Sequence, residues 1–213
     1  MNISEVYKKQ QINKGLQEHM LRVAGVAKYI CDNSDLFVDK NNVITACLLH
    51  DMGNLIKSKL ETAPELFEPE GVDFWSEIKY RMIEKYDNDV HGATVAKIKE
   101  VCKTPEVVKI VEEASFDDIE KVASSGSMEA KLLEYADMRV GMFGIMPLAE
   151  RFQDIHDRYV PNRFSKEELL NKQRAAEKIE REIFKLSSIR PSHVSNETVD
   201  GPLINDLLEF TVT

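Results

Sequence analysis

His50 and Asp51 stand side by side where an apolar run ends, Leu48-Leu49-His50-Asp51-Met52-Gly53, so one imidazole and one carboxylate can turn toward a single point. A glycine just past a helix end lets the backbone bend away there. A second histidine, His19, lies upstream, and a further carboxylate, Asp137, lies downstream. Imidazole nitrogens with carboxylate oxygens form a mixed donor set that suits Mn, Fe, Co, Ni or Zn rather than Ca, which prefers oxygen alone. The dipeptide carries little weight by itself. A lone His is more often a satisfied core residue than a ligand, and His156-Asp157 is another such pair. The elements that carry these residues have to decide.

From Asn13 to about Cys31, Leu16, Met20, Val23, Ala27 and Ile30 recur every three or four residues, which predicts an amphipathic helix. His19, Val23, Val26 and Ile30 share its apolar face, so His19 points inward, and Arg22 follows one turn later. Asp32 to Asn42 reads as a loop that caps the next helix. In that helix, Asn42 to His50, the residues Val43, Ala46, Cys47 and His50 share a face, which turns His50 toward the same interior. Lys57 to Pro69 is acidic and loop-like, placed to cover a site bordered by Asp51 to Lys57. Asp73 would cap a helix to about Tyr86, and Asp89 another from Val90 to Cys102. His91 falls in the first turn of the latter, where free N–H groups and the positive dipole end favour an anion.

Thr104-Pro105 opens a helix to about Ala114, and Ser115 to Ser127 reads as a polar connection. In the helix that follows, Asp137 sits on the apolar side with Leu133 and Val140. A carboxylate is costly to bury there without a cation. Pro147 begins a helix through Leu148, Phe152 and Ile155, whose His156-Asp157 has no apolar run leading into it and reads as solvated or capping. Ser165-Lys-Glu-Glu168 is a capping box that opens a long charged helix to about Leu186. Residues 13–145 thus form the core domain and 146–190 a helical extension packed on it. Residues 191–213 form a tail in which Leu203, Ile204, Leu207, Leu208 and Phe210 predict docking on the body or on a second subunit, a homodimer. Residues 1–12 are assigned no role, as a short helix or a loose arm.

The formal net charge of −9 argues against a nucleic-acid polymer, whose ligands carry basic stripes, and leaves room for a small anion held by a few local cations. No stretch approaches the roughly 18 apolar residues of a membrane span, and the first eleven residues are too polar for a signal-peptide core. The chain therefore reads as soluble and cytoplasmic, with no membrane partner. Cys31, Cys47 and Cys102, odd in number and set among apolar helical residues, read as buried free thiols.

Between Gln17 and Gly141 the chain resembles the HD-domain superfamily of metal-dependent phosphohydrolases. The resemblance rests on Glu18-His19-Met-Leu-Arg22-Val23, Leu48-Leu49-His50-Asp51-Met-Gly53, Val90-His91-Gly92-Ala93 and Tyr135-Ala136-Asp137, in that order. It implies an all-α, HD-domain-like helical bundle, here with a C-terminal helical extension. It also implies a divalent transition metal held by His19, His50, Asp51 and Asp137. Such an ion would lower the pKa of a bound water and polarise a phosphoryl oxygen. The implied activity is hydrolysis of a small phosphorylated substrate, a nucleotide or related phosphometabolite; some members instead serve as ligand sensors without turnover. Arg22, Lys57 and Arg139 are the candidate phosphate contacts, and Asp89 and His91 would border the site and assist proton transfer beside Asp51. Many relatives have Lys directly after the HD-x-G turn, where this chain has Asn54, with Lys57 one turn on. Binuclear relatives carry further histidines before the final Asp. None lies between His91 and Asp137 here, so one metal is the expectation, with His91 as a second-metal ligand the alternative.

Overall fold

The computed structural model describes residues 1–142 and 144–212 and is all-α. At its centre lies α2 (Lys14–Asp32), capped by Asn13, whose side chain accepts a hydrogen bond from Leu16 N at 3.0 Å. Its Met20, Val23, Ala24, Ala27 and Ile30 are fully buried, and α3 (Lys40–Leu49) and α8 (Met128–Met138) pack along it. α3 starts earlier than its apolar periodicity implies because Asp39 caps it, accepting from Asn42 N at 3.0 Å. Around this trio run α4 (Gly71–Tyr86), α5 (Val90–Val101), α6 (Pro105–Glu113), α7 (Ile119–Ser125), α9 (Leu148–Tyr159) and α10 (Lys166–Phe184). Among the described residues the only strands are β1 (Val140–Gly141) and β2 (Gly144–Ile145), an antiparallel pair with Val140 opposite Ile145. This hairpin turns the chain from α8 toward α9. No described helix is long and apolar enough to cross a membrane.

The apolar side chains gather in two clusters. The larger contains the inner faces of α2, α3, α6, α8 and α10. The smaller, with Leu55, Ile56, Leu60, Phe67, Trp75, Ile78, Met82 and Ala93, holds three short 3-10 turns between residues 54 and 67 against α4 and α5. The stretch expected to be an open loop is therefore pinned through Leu60 and Phe67, both buried. His50 and Asp51 lie at the seam between the clusters.

Three other segments carry more structure than their sequence suggests. Residues 1–12 contain α1 (Ile3–Lys9), whose Tyr7 is buried and donates its hydroxyl to Leu48 O at 2.9 Å, bracing the end of α3. The polar connection contains α7, where Ile119, Val122 and Ala123 make one apolar face too short to stand out among Ser, Lys and Glu; it packs on α10. The tail forms α11 (Asn196–Val199) and α12 (Pro202–Leu208), which lie on α2. Val199 approaches Gly25 so closely that a Cβ there would stand 2.5 Å from Val199 Cγ1. Ile3 N donates to Phe210 O at 2.9 Å, and Val212 N to Met1 O at 3.0 Å. Of the two docking surfaces expected for the tail, its apolar residues take the chain's own body. All three cysteines are buried, and Cys31 and Cys47 are free thiols.

Candidate metal centre

α2, α3 and α8 each bring one part of the constellation to the seam. His19 projects from α2, His50 closes α3 as its C-cap, and Asp137 comes from the last turn of α8. His19 Nε2 lies 2.9 Å from Asp137 Oδ1 and 3.6 Å from Asp51 Oδ2; His50 Nε2 lies 3.5 Å and 3.7 Å from the same two oxygens. One donor atom each from His19, His50 and Asp51 falls within 4.8 Å of the others. Two ligands bonded at about 2.1 Å to a common ion stand roughly 3.0 to 3.4 Å apart for octahedral to tetrahedral angles, so these separations match a shared cation.

The tautomer of His50 fits the same use. Nδ1 lies 2.8 Å from Cys47 O, and a carbonyl can only accept, so Nδ1 carries a proton and it is Nε2 that presents a lone pair when the ring is neutral. That Nε2 is buried and makes no hydrogen bond; its contacts to the two carboxylates are longer, of ion-pair type. Burial works against charging His50, but Asp51 and Asp137 outweigh it and raise the imidazole to about 9. Burial likewise pushes Asp137 upward, yet the adjoining His19 and His50 hold it well below the usual carboxylate range. The pocket demands positive charge, and a divalent ion would compete with protons for it.

Gly53 is needed for a different reason than a helix-terminal bend. Its backbone is ordinary right-handed helical (φ −89°, ψ −10°). A Cβ there, however, would stand 2.3 Å from Val90 O and 2.6 Å from Thr94 Oγ1, while Gly53 N donates to Thr94 Oγ1 at 3.0 Å. The glycine lets the His-Asp turn press against the start of α5.

In front of the cluster opens a cavity of about 370 Å³. His50, Asp51, Asn54, Lys57, His91, Thr94, Glu134 and Asp137 line one part, and Phe116, Arg151, Arg158, Tyr159, Arg163 and Phe164 the other. A second cavity of about 280 Å³ lies on the His19 side, with Arg22, Leu66 and Val140; Arg151 and Arg158 border both. Lys57 and His91 are thus where a substrate in the main cavity would meet them.

Other expectations change. Arg139 is 2% exposed, and four of its five N–H donors are taken: it donates to Met146 O (2.5 Å), Tyr135 Oη (2.6 Å), Pro191 O (3.2 Å) and Val194 O (2.8 Å). It fastens the segment after α10 to α8 and is not among the residues lining either cavity. Asp89, expected to border the site, is instead exposed and caps α5, accepting from Gly92 N at 2.8 Å, and it is not among the residues lining the cavity. Arg22 faces the second cavity, 3.6 Å from Asp200 and 3.8 Å from Glu18. His156 stands on the outside of α9 beside Asp157.

The cations that sequence reasoning missed come from α9 and the loop after it. Arg151 and Arg158 are seven residues apart, on one helical face with Ile155, a spacing legible in the sequence once α9 is known to face the site. Arg151 and Arg158 both contact Asp154, and Arg151 Nε is buried without a hydrogen bond. Glu134 was missed as well. It is buried one turn before Asp137, and burial, with Asp137 adding to it, raises its carboxyl to about 8.

A model of the HD domain matches residues 16–142, which takes in His19, His50, Asp51 and Asp137. This chain belongs to the HD domain family. No curated protein and no solved structure matches it. The HD domain match ends before α9, so the arginines of the cavity's far wall lie outside the part this chain shares with the family.

Proposed function

We propose that this HD domain protein is a metal-dependent hydrolase of a small phosphate ester, a nucleotide or related phosphometabolite. The observation that carries the reading is the buried, unpartnered Nε2 of His50, set among His19, Asp51 and Asp137 at the floor of a cavity with cations in its walls. His19, His50, Asp51 and Asp137 would hold one divalent transition metal, Mn, Fe, Co, Ni or Zn. When bound, it supplies an activated water and polarisation of a phosphoryl oxygen. Lys57, Arg151 and Arg158 receive the phosphoryl charge, which offsets the acidity of the chain locally. His91, which lines the cavity, would protonate the alkoxide leaving group. Phe116, Tyr159 and Phe164 offer ring faces to the organic part.

The test is a panel of nucleoside mono-, di- and triphosphates, cyclic nucleotides and sugar phosphates with Mn, Co, Ni, Fe and Mg. Protein purified without chelator should carry one metal per chain, and the double variant His50→Ala/Asp51→Ala should lose it together with turnover. Arg158→Met should raise KM or lower kcat about tenfold or more with metal content intact. Full metal retention in the double variant would overturn the site. Saturable nucleotide binding without product under every metal would replace the enzyme by a sensor.

A further inference from the structure

We propose that Glu134 selects the substrate by hydrogen bonding to a hydroxyl group on its organic part; the proposal builds on the hydrolase reading above. Glu134 is 4% exposed and stands in the wall of the main cavity, one turn before Asp137 on α8. Its Oε1 is buried and has no hydrogen-bond partner in the protein. An apolar residue of the same size would remove that cost, so a carboxyl kept here calls for a partner that arrives from outside. Lys172, the lysine close by, is otherwise engaged, donating to Phe116 O at 3.1 Å.

The chemistry of the neighbourhood narrows the partner. A phosphoryl group is repelled by a carboxyl beside Asp137 and is matched instead by Lys57, Arg151 and Arg158. Glu134 therefore addresses an uncharged donor. A hydroxyl suits it, since it can donate to or accept from a carboxyl in either protonation state. Compounds that present a sugar or polyol beside the phosphate fall within this class, and plain aryl phosphates fall outside it.

The experiment compares Glu134→Leu and Glu134→Gln with the parent, full-length and loaded with Mn, on ribose 5-phosphate and phenyl phosphate. Glu134→Leu should raise KM for ribose 5-phosphate about tenfold or more and leave phenyl phosphate within about twofold, while Glu134→Gln keeps most of the discrimination. Thermal unfolding gives a second readout. An orphaned carboxyl replaced by Leu should raise Tm by a few degrees, whereas a residue that holds the fold together would lower it. Equal losses on both esters, loss of Mn, no change on either ester, or a fall in Tm would each overturn the proposal. If the parent turns over neither ester, the hydrolase reading is decided separately by the full substrate panel above. The same comparison of Kd values by calorimetry then decides the role of Glu134.

Discussion

Replacing Arg139 by Met should unfasten the C-terminal segment and leave substrate recognition alone. The guanidinium donates four hydrogen bonds, to the carbonyls of Met146, Pro191 and Val194 and to the hydroxyl of Tyr135, from a site that water does not reach. Met would fill much of the volume of the arginine stem, but the three carbonyls and the hydroxyl would lose their donor. At about 1 kcal/mol for each lost bond, and more where the buried acceptor stays dry, the loss is on the order of 4 kcal/mol. For a chain of this size about 1 kcal/mol moves Tm by roughly 2–4 °C, so the variant should melt about 8–16 °C below the parent. Calorimetry measures the shift. Limited proteolysis should cut earlier around residues 187–195, because Pro191 and Val194 are held through this side chain. A variant that melts within about 2 °C of the parent but has a raised KM for phosphate esters would refute the reasoning and return Arg139 to the substrate.

Two further outcomes are expected. Gly53→Ala places a methyl 2.3 Å from Val90 O and 2.6 Å from Thr94 Oγ1, so α5 must move off the His-Asp turn. Mn affinity measured by titration should fall about tenfold or more, and unchanged affinity would mean that the contact yields without moving Asp51. Lys97 is buried, with Nζ donating to Gln10 O at 2.6 Å, and burial lowers it to about 8 against its ordinary 10.5. Between those values the unfolded chain binds more protons than the folded one, so this group makes stability rise with pH from about 8 to 10.5, by up to about 3 kcal/mol. Chemical denaturation of the parent and Lys97→Met across that range should show the parent gaining on the variant. Parallel curves would contradict the shift.

Under the proposed function, the electrostatics of the centre also show how an acidic chain accommodates an anionic substrate. Asp51 and Asp137 concentrate negative charge where a metal would bind, and their effect on His50, raised to about 9, is a measure of that field. The cations Lys57, Arg151 and Arg158 line the same cavity. A bound divalent ion would reverse the sign of the floor, leaving Lys57, Arg151 and Arg158 to complete a positive enclosure.

The sequence by itself determined the all-α class and the inward faces of the helices bearing His19, His50 and Asp137, because a helical period of apolar residues fixes which side chains share the buried side. It also determined the caps at Asp89 and Ser165, since capping depends on residues within one turn. Only the tertiary structure decided what stands opposite those faces. Arg139 has the residue type and position of a phosphate ligand, yet three carbonyls of remote segments claim it. Arg151 and Arg158 look like surface charges on an amphipathic helix until α9 is folded across the cavity mouth. Gly53 marks a close approach of α5 that no local pattern encodes. Glu134 differs from any buried carboxylate only in lacking a partner, a property of the whole surrounding shell. Periodicity and capping are local and legible in order along the chain, whereas which donor meets which acceptor across helices depends on packing between segments far apart in sequence.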